Sequence, residues 1–211
     1  MNDKDNIKLC IENIEKMTPN IVSPNDTMLV QALTPLLQAC TREINKLLHE
    51  EIDLSSLSLC VRTIFELYLI LMHISTDEKA LNNWFGQSYK DHKDINDGFI
   101  ALGKKRGLDE YVSELEKVQE FLDGSLDSSP FVSKGRFNIR DLAEKFEHLE
   151  DYKAVHKLCS KLIHPTSLNV NAYDALSKNN VYYNMIFRIG VFYSQQIEEF
   201  SSRYQGLVTS G

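Results

Sequence analysis

The stretch from Leu57 to Ile74 is apolar on nearly every side of a helix, and it leaves few choices for the rest of the chain. Such a segment either crosses a membrane or forms the centre of a globular core. Arg62, Glu66 and His73 interrupt it, and each would cost about 2–3 kcal/mol if ionised at the middle of a bilayer. The expectation is therefore a buried central helix over about 54–74, following Asp53, with the other helices packed around it. Nine glycines and five prolines in 211 residues are well below the usual ~12%. A sandwich or barrel needs a turn after each short strand, so this scarcity points to an all-α fold. We expect one bundle of about seven helices, with residues 1–22 as an N-terminal helix or extension and 23–211 as the domain proper.

Spacing of apolar residues places the helices. Ile7, Cys10, Ile11, Ile14 and Met17 mark the first, and Pro19 to Pro24 end it. A second starts at Asp26 or Thr27 and runs to about Glu51, with a kink or break expected at Pro35. A fourth begins at Thr76-Asp77-Glu78 and carries Leu81, Trp84, Phe85 and Tyr89, three aromatics expected in the core. After a turn at Gly103–Gly107, a fifth carries Tyr111, Leu115, Val118 and Leu122. Residues 123–137, with Gly124, Pro130 and Gly135, form a long loop. Further helices are expected from Ile139 to about Leu149, from Asp151 to Ile163 before Pro165, and from Val181 to Tyr204.

A net charge of −7 argues against broad capture of nucleic acid or an anionic membrane, while leaving room for a local basic site. Cys10, Cys40, Cys60 and Cys159 are widely spaced, with no C-x-x-C pair. They suit buried thiols in a reducing compartment. The polar opening Met1–Asp5 lacks the apolar core of a signal peptide. The expectation is a cytoplasmic protein with no membrane partner. No phosphate-binding glycine loop, dinucleotide fingerprint or H-E-x-x-H occurs, so neither a cofactor nor a metal is expected.

Two polar seams carry the candidate chemistry. At about 100° per residue, Arg62, Glu66 and His73 fall within some 40° of one another on the central helix. Buried ions must be paired. The seam is either an intrahelical Arg62–Glu66 pair that fixes packing, or a site in which Arg62 grips an anion while Glu66 orients it or acts as a base. The second seam is His156, Ser160 and His164, one every four residues, beside a row formed by Lys153, Lys157 and Lys161. From Tyr152 to Val170 there are three lysines, two histidines and no acid, a local reversal of sign suited to a phosphate-bearing ligand. Pro165 ends that helix and leaves His164 at its terminus, within reach of a cleft as a proton carrier.

Arg62-x-x-x-Glu66 on an apolar helix, the Trp84 helix, Ile139-Arg140-Asp141-Leu142-Ala143-Glu144 and Tyr152…Ser160-x-x-x-His164-Pro165 occur in that order. Over roughly residues 30–170 the chain resembles a bacterial domain of unknown function, number 5677, which implies an α-helical domain with no settled activity. More distantly it resembles HEPN domains, helical bundles that include metal-independent ribonucleases of toxin and anti-phage systems. Their motif is R-x(4–6)-H. Here Lys157-x(6)-His164 has the length, with lysine in place of arginine.

That resemblance implies a homodimeric endoribonuclease. His164 would be the general acid or base, Arg62 and Lys157 would stabilise the phosphorane-like charge, and Glu66 would hold Arg62. Lys161, Ser160, His156 and Tyr152 would complete the phosphate side. The alternative is a non-catalytic module that binds a nucleotide or a protein partner such as an antitoxin, with Arg62, Glu66 and His164 as a structural network.

Overall fold

The structure, a computed structural model, describes residues 2–20, 27–50, 52–131, 135–177 and 180–205. Among them are ten helices and no strand. In chain order these are α1 (Asp3–Met17), α2 (Thr27–Lys46), α3 (Leu54–Thr76), α4 (Glu78–Arg106), α5 (Asp109–Ser128), α6 (Ile139–Lys145), α7 (residues 149–163), α8 (Ser167–Asn171), α9 (Tyr173–Ser177) and α10 (Asn180–Gln205). Two compact units emerge, one from residues 1–73 with 138–211 and the other from residues 74–137.

In the first unit, α3 occupies the central place expected of it. It is long and apolar enough to cross a membrane, yet Leu57, Val61, Ile64, Phe65, Leu69 and Leu71 are all buried within the fold. Asp53 starts it by accepting the Ser56 N–H at 2.9 Å, which satisfies one of the open donors at a helix start. Phe65 meets the fully buried Tyr193 of α10 edge to face, with centroids 4.9 Å apart. Gly190 of α10 brings that helix close enough that an added Cβ would lie 2.8 Å from Val61 Cγ2. α1 buries Ile7, Cys10, Ile14 and Met17 and packs against α10 and α2.

Several boundaries differ from expectation. α2 runs without interruption through Pro35 and stops at Lys46 rather than Glu51. The N–H groups of Leu47, Leu48 and His49 turn back three residues, to Ile44, Asn45 and Lys46, a tightened last turn that ends the helix. Asp26, one of the two expected starts, lies outside the described residues, and α2 is described from Thr27. α6 ends at Lys145 because Glu147 takes a left-handed backbone (φ 64°) and the His148 N–H reaches the Ala143 carbonyl at 2.7 Å.

The second unit is an antiparallel hairpin. Asp77 caps α4, accepting the Lys79 and Ala80 N–H groups at 2.9 and 3.3 Å. Gly107 closes α4 with φ 70°, and the Leu108 N–H returns to the Gly103 carbonyl at 3.0 Å. That left-handed position favours glycine. Asn96 donates to the Leu115 carbonyl and to Gln119 across the hairpin. Lys93–Asp123 and Lys104–Glu116 pair at 2.9 and 2.8 Å.

α5 reaches Ser128, so the expected loop at 123–137 begins only after it. Its later part packs along α4. Asn83 and Gln87 both donate to the Gly135 carbonyl, and Phe131 and Phe137 stack on Phe85 and Trp84. Lys134, a cation near the end of the expected loop, lies outside the described residues. Trp84 and Phe85 are half-buried, whereas Tyr89, expected in the core, is exposed.

Candidate functional site

α3 and α7 build the site. Leu57, Val61, Ile64 and Phe65 turn the other sides of α3 into the core, which leaves Arg62 and Glu66 stacked one turn apart at its margin. Arg62 Nε donates to Glu66 Oε1 at 2.7 Å. The two side chains are 26% and 28% exposed, so the pair is neither sealed nor fully hydrated. That bond commits Nε, and among the described residues no hydrogen bond holds either Nη group, which leaves both open to a ligand.

From α7 comes His156, whose Nε2 lies 3.8 Å from the same Glu66 oxygen. The Tyr152 ring lies over the imidazole, with centroids 4.7 Å apart. Residues Tyr152–His156 form a π turn, with ordinary helix resuming at Lys157. Such insertions recur at functional sites because one extra residue per turn re-aims side chains. Burial lowers the His156 pKa, the Arg62 charge lowers it further, and Glu66 opposes both.

A falling pH should therefore weaken the fold through His156. Its folded pKa lies below the ordinary value of about 6.5. The unfolded chain takes up the proton more readily, so this contribution is complete above about pH 6.5 and is lost as pH falls below it. Urea melts of wild type and His156→Asn between pH 7.5 and 5.5 should show a smaller acid loss in the variant. Equal losses would remove His156 as the titrating group.

The remaining candidates fall elsewhere. Lys157 and Lys161 are exposed on α7, beside the half-buried Ser160, while Lys153 pairs with Glu150 at 2.6 Å. His164 does not continue the His156–Ser160 face. It is exposed, with φ −91° and ψ 153°. A residue preceding proline is pushed out of the helical region by the ring, so Pro165 ends α7 at Ile163, as expected. Among the described residues, no hydrogen bond or ion pair joins the His164 side chain to Arg62 or Glu66. His73, third in the α3 seam, lies instead with α6, 3.2 Å from Lys145 Nζ and against the Phe146 ring.

Cys159 sits between α7 and the core, wholly buried, with its thiol pushed up to about 11 by burial against the opposing effects of Ser58 and Arg62. All four cysteines are free and buried, as their spacing suggested, and burial raises each of their pKa values. They are poor nucleophiles.

A second polar group has no counterpart in the sequence reading. His148 Nδ1 lies 3.3 Å from both Asp151 Oδ2 and the Tyr193 hydroxyl, and the Tyr68 ring meets the imidazole edge on. Burial and the Asp151 carboxylate keep the Tyr193 phenol protonated. The helix expected from Ile139 to Leu149 hid this arrangement, because His148 takes its position only when the chain reverses at Glu147.

No curated protein and no solved structure matches the chain. The model of a family of unknown function, DUF5677, matches residues 30–180, a span holding both α3 and α7. The chain belongs to that family.

Proposed function

We propose that Arg62, Glu66 and His156 form a phosphate-ester site and that the protein cleaves RNA without a metal ion. One observation carries the reading. A guanidinium, a carboxylate and an imidazole from two helices converge at a partly open place, and the helix that brings His156 also carries the exposed Lys157 and Lys161. The Arg62 Nη groups would hold the phosphate oxygens, with Glu66 fixing the guanidinium plane. The lysines would add affinity through the phosphate backbone without reading sequence.

His156 takes the proton-carrying role that the sequence alone assigned to His164. Its lowered pKa keeps the imidazole neutral near pH 7 and able to accept the 2′-hydroxyl proton. The 2′-oxygen then bonds to phosphorus as the phosphorus–5′-oxygen bond breaks, and water protonates the leaving oxygen. The products are a 2′,3′-cyclic phosphate and a 5′-hydroxyl.

The test is gel-resolved cleavage of end-labelled transfer RNA in EDTA, with the product ends identified. Wild type should cleave, and Arg62→Ala and His156→Ala should each lose about 10²-fold or more. Loss in His164→Ala with full activity in His156→Ala would move the proton carrier to the end of α7.

A second reading, a structural polar network, is favoured by the Arg62–Glu66 bond lying within a single helix. It expects no cleavage by wild type and a lowered melting temperature in Arg62→Ala, because Glu66 is left part-buried and unpaired.

A further inference from the structure

The α4–α5 hairpin carries a large uncovered apolar face. On α4, Ile95, Phe99 and Leu102 are exposed, Phe99 by 58%; on α5, Tyr111, Val118 and Phe121 are exposed by 67%, 39% and 72%. At 100° per residue the α4 three lie within about 60° of one another and the α5 three within about 80°. The hairpin's own contacts, Asn96 to Leu115 and Gln119, Lys93 to Asp123, and Gly103 beside Val112, mark the inner side of each helix. Each stripe is rotated from that side in the same sense, by roughly 110°. Because the helices run antiparallel, equal rotations bring both stripes onto one face of the hairpin.

We propose that this face binds the same face of a second copy of the chain, making a four-helix bundle from two hairpins. Area supports it. Side chains of this size expose on the order of 100 Å² each, so the six present on the order of 600 Å². That is large for a monomer and near the ~800 Å² per partner of a stable interface.

Charge selects the occupant and its orientation. Between Asp109 and Asp123, α5 has six acidic residues and one lysine, whereas α4 from residue 93 to its end has Lys93, Lys104, Lys105 and Arg106 against Asp94 and Asp97. A two-fold axis along the helices sets α4 against the partner's α5, opposite charge to opposite charge. A two-fold axis across them would set α5 on α5, acid against acid, which is unfavourable. Either axis makes every neighbouring pair antiparallel, the arrangement of up-and-down bundles, so charge alone sets the choice.

The test uses the full chain. Sedimentation equilibrium at micromolar concentration should give a dimer that weakens several-fold in Arg106→Glu and as salt rises. The double variant Phe99→Asp/Phe121→Asp changes two already exposed side chains, so it should be monomeric with unaltered helical circular dichroism and melting temperature. Monomeric wild type, or a double variant that stays dimeric, overturns the proposal. Monomeric wild type that co-sediments with phosphatidylserine vesicles would assign the face to a lipid surface instead. Arg62, Glu66 and His156 meet within one copy of the chain, so a monomer that cleaves RNA overturns only this proposal, and a dimer that does not cleave overturns only the other.

Discussion

Replacing Phe65 by alanine should lower the unfolding free energy by about 3–5 kcal/mol. The ring is fully buried at the centre of α3 and packs edge to face on Tyr193, which is also fully buried and touches Tyr68, His148 and Phe192. Alanine removes the apolar area and leaves a hole beside Tyr193, whose own ring is held by Tyr68, His148 and Phe192, so relaxation recovers little of the loss. At roughly 2–4 °C per kcal/mol for a chain of this size, the midpoint should fall on the order of 10 °C. Urea denaturation followed by far-ultraviolet circular dichroism gives the number. A loss under about 1 kcal/mol would be a surface value and would mean that α3 is not the core helix.

Gly190→Val should cost about 2–3 kcal/mol for the opposite reason, too many atoms. A Cβ at this position would lie 2.8 Å from Val61 Cγ2 and 3.2 Å from Leu47 Cδ1. Both neighbours are buried, so neither can swing into solvent. Helix propensity alone gives the other sign, since replacing a mid-helix glycine by alanine gains roughly 0.5–1 kcal/mol. Gly124, where nothing lies within 4 Å of an added Cβ, supplies that contrast, and Gly124→Ala should stabilise by about that amount. Val61→Ala in the Gly190→Val background should recover part of the loss, a coupling that a double-mutant cycle measures. Additive effects would show that α10 does not approach α3 at this point.

Helix positions are legible in the sequence because their signals are local. Asp53 and Asp77 bond N–H groups two or three residues on, Gly107 supplies a left-handed turn, and apolar spacing within each segment marks its buried side. The Arg62–Glu66 pair is legible for the same reason, being one helical turn apart. Tyr89 misleads because its spacing with Leu81 and Phe85 marks a helix face without saying how far the buried side extends.

The partners of the polar side chains are not legible, since they depend on the rotation and sliding of one helix against another. His156 meets Glu66 across α3 and α7, while His164, two turns further along the apparent stripe, leaves the helix because Pro165 forbids its continuation. The effect of proline on the preceding backbone is a local rule that bears on His164 directly, and it outweighs i, i+4 spacing. The π turn at Tyr152–His156 and the reversal at Glu147 each alter the phase of the residues after them, which a constant 100° per residue does not register. Local hydrogen bonds and apolar periodicity therefore suffice for an all-α chain with a buried α3 and a cationic α7. Which imidazole stands at the Arg62–Glu66 pair, and that His148 joins Tyr193 and Asp151, is settled by packing, because it alone sets the contacts between residues distant in sequence.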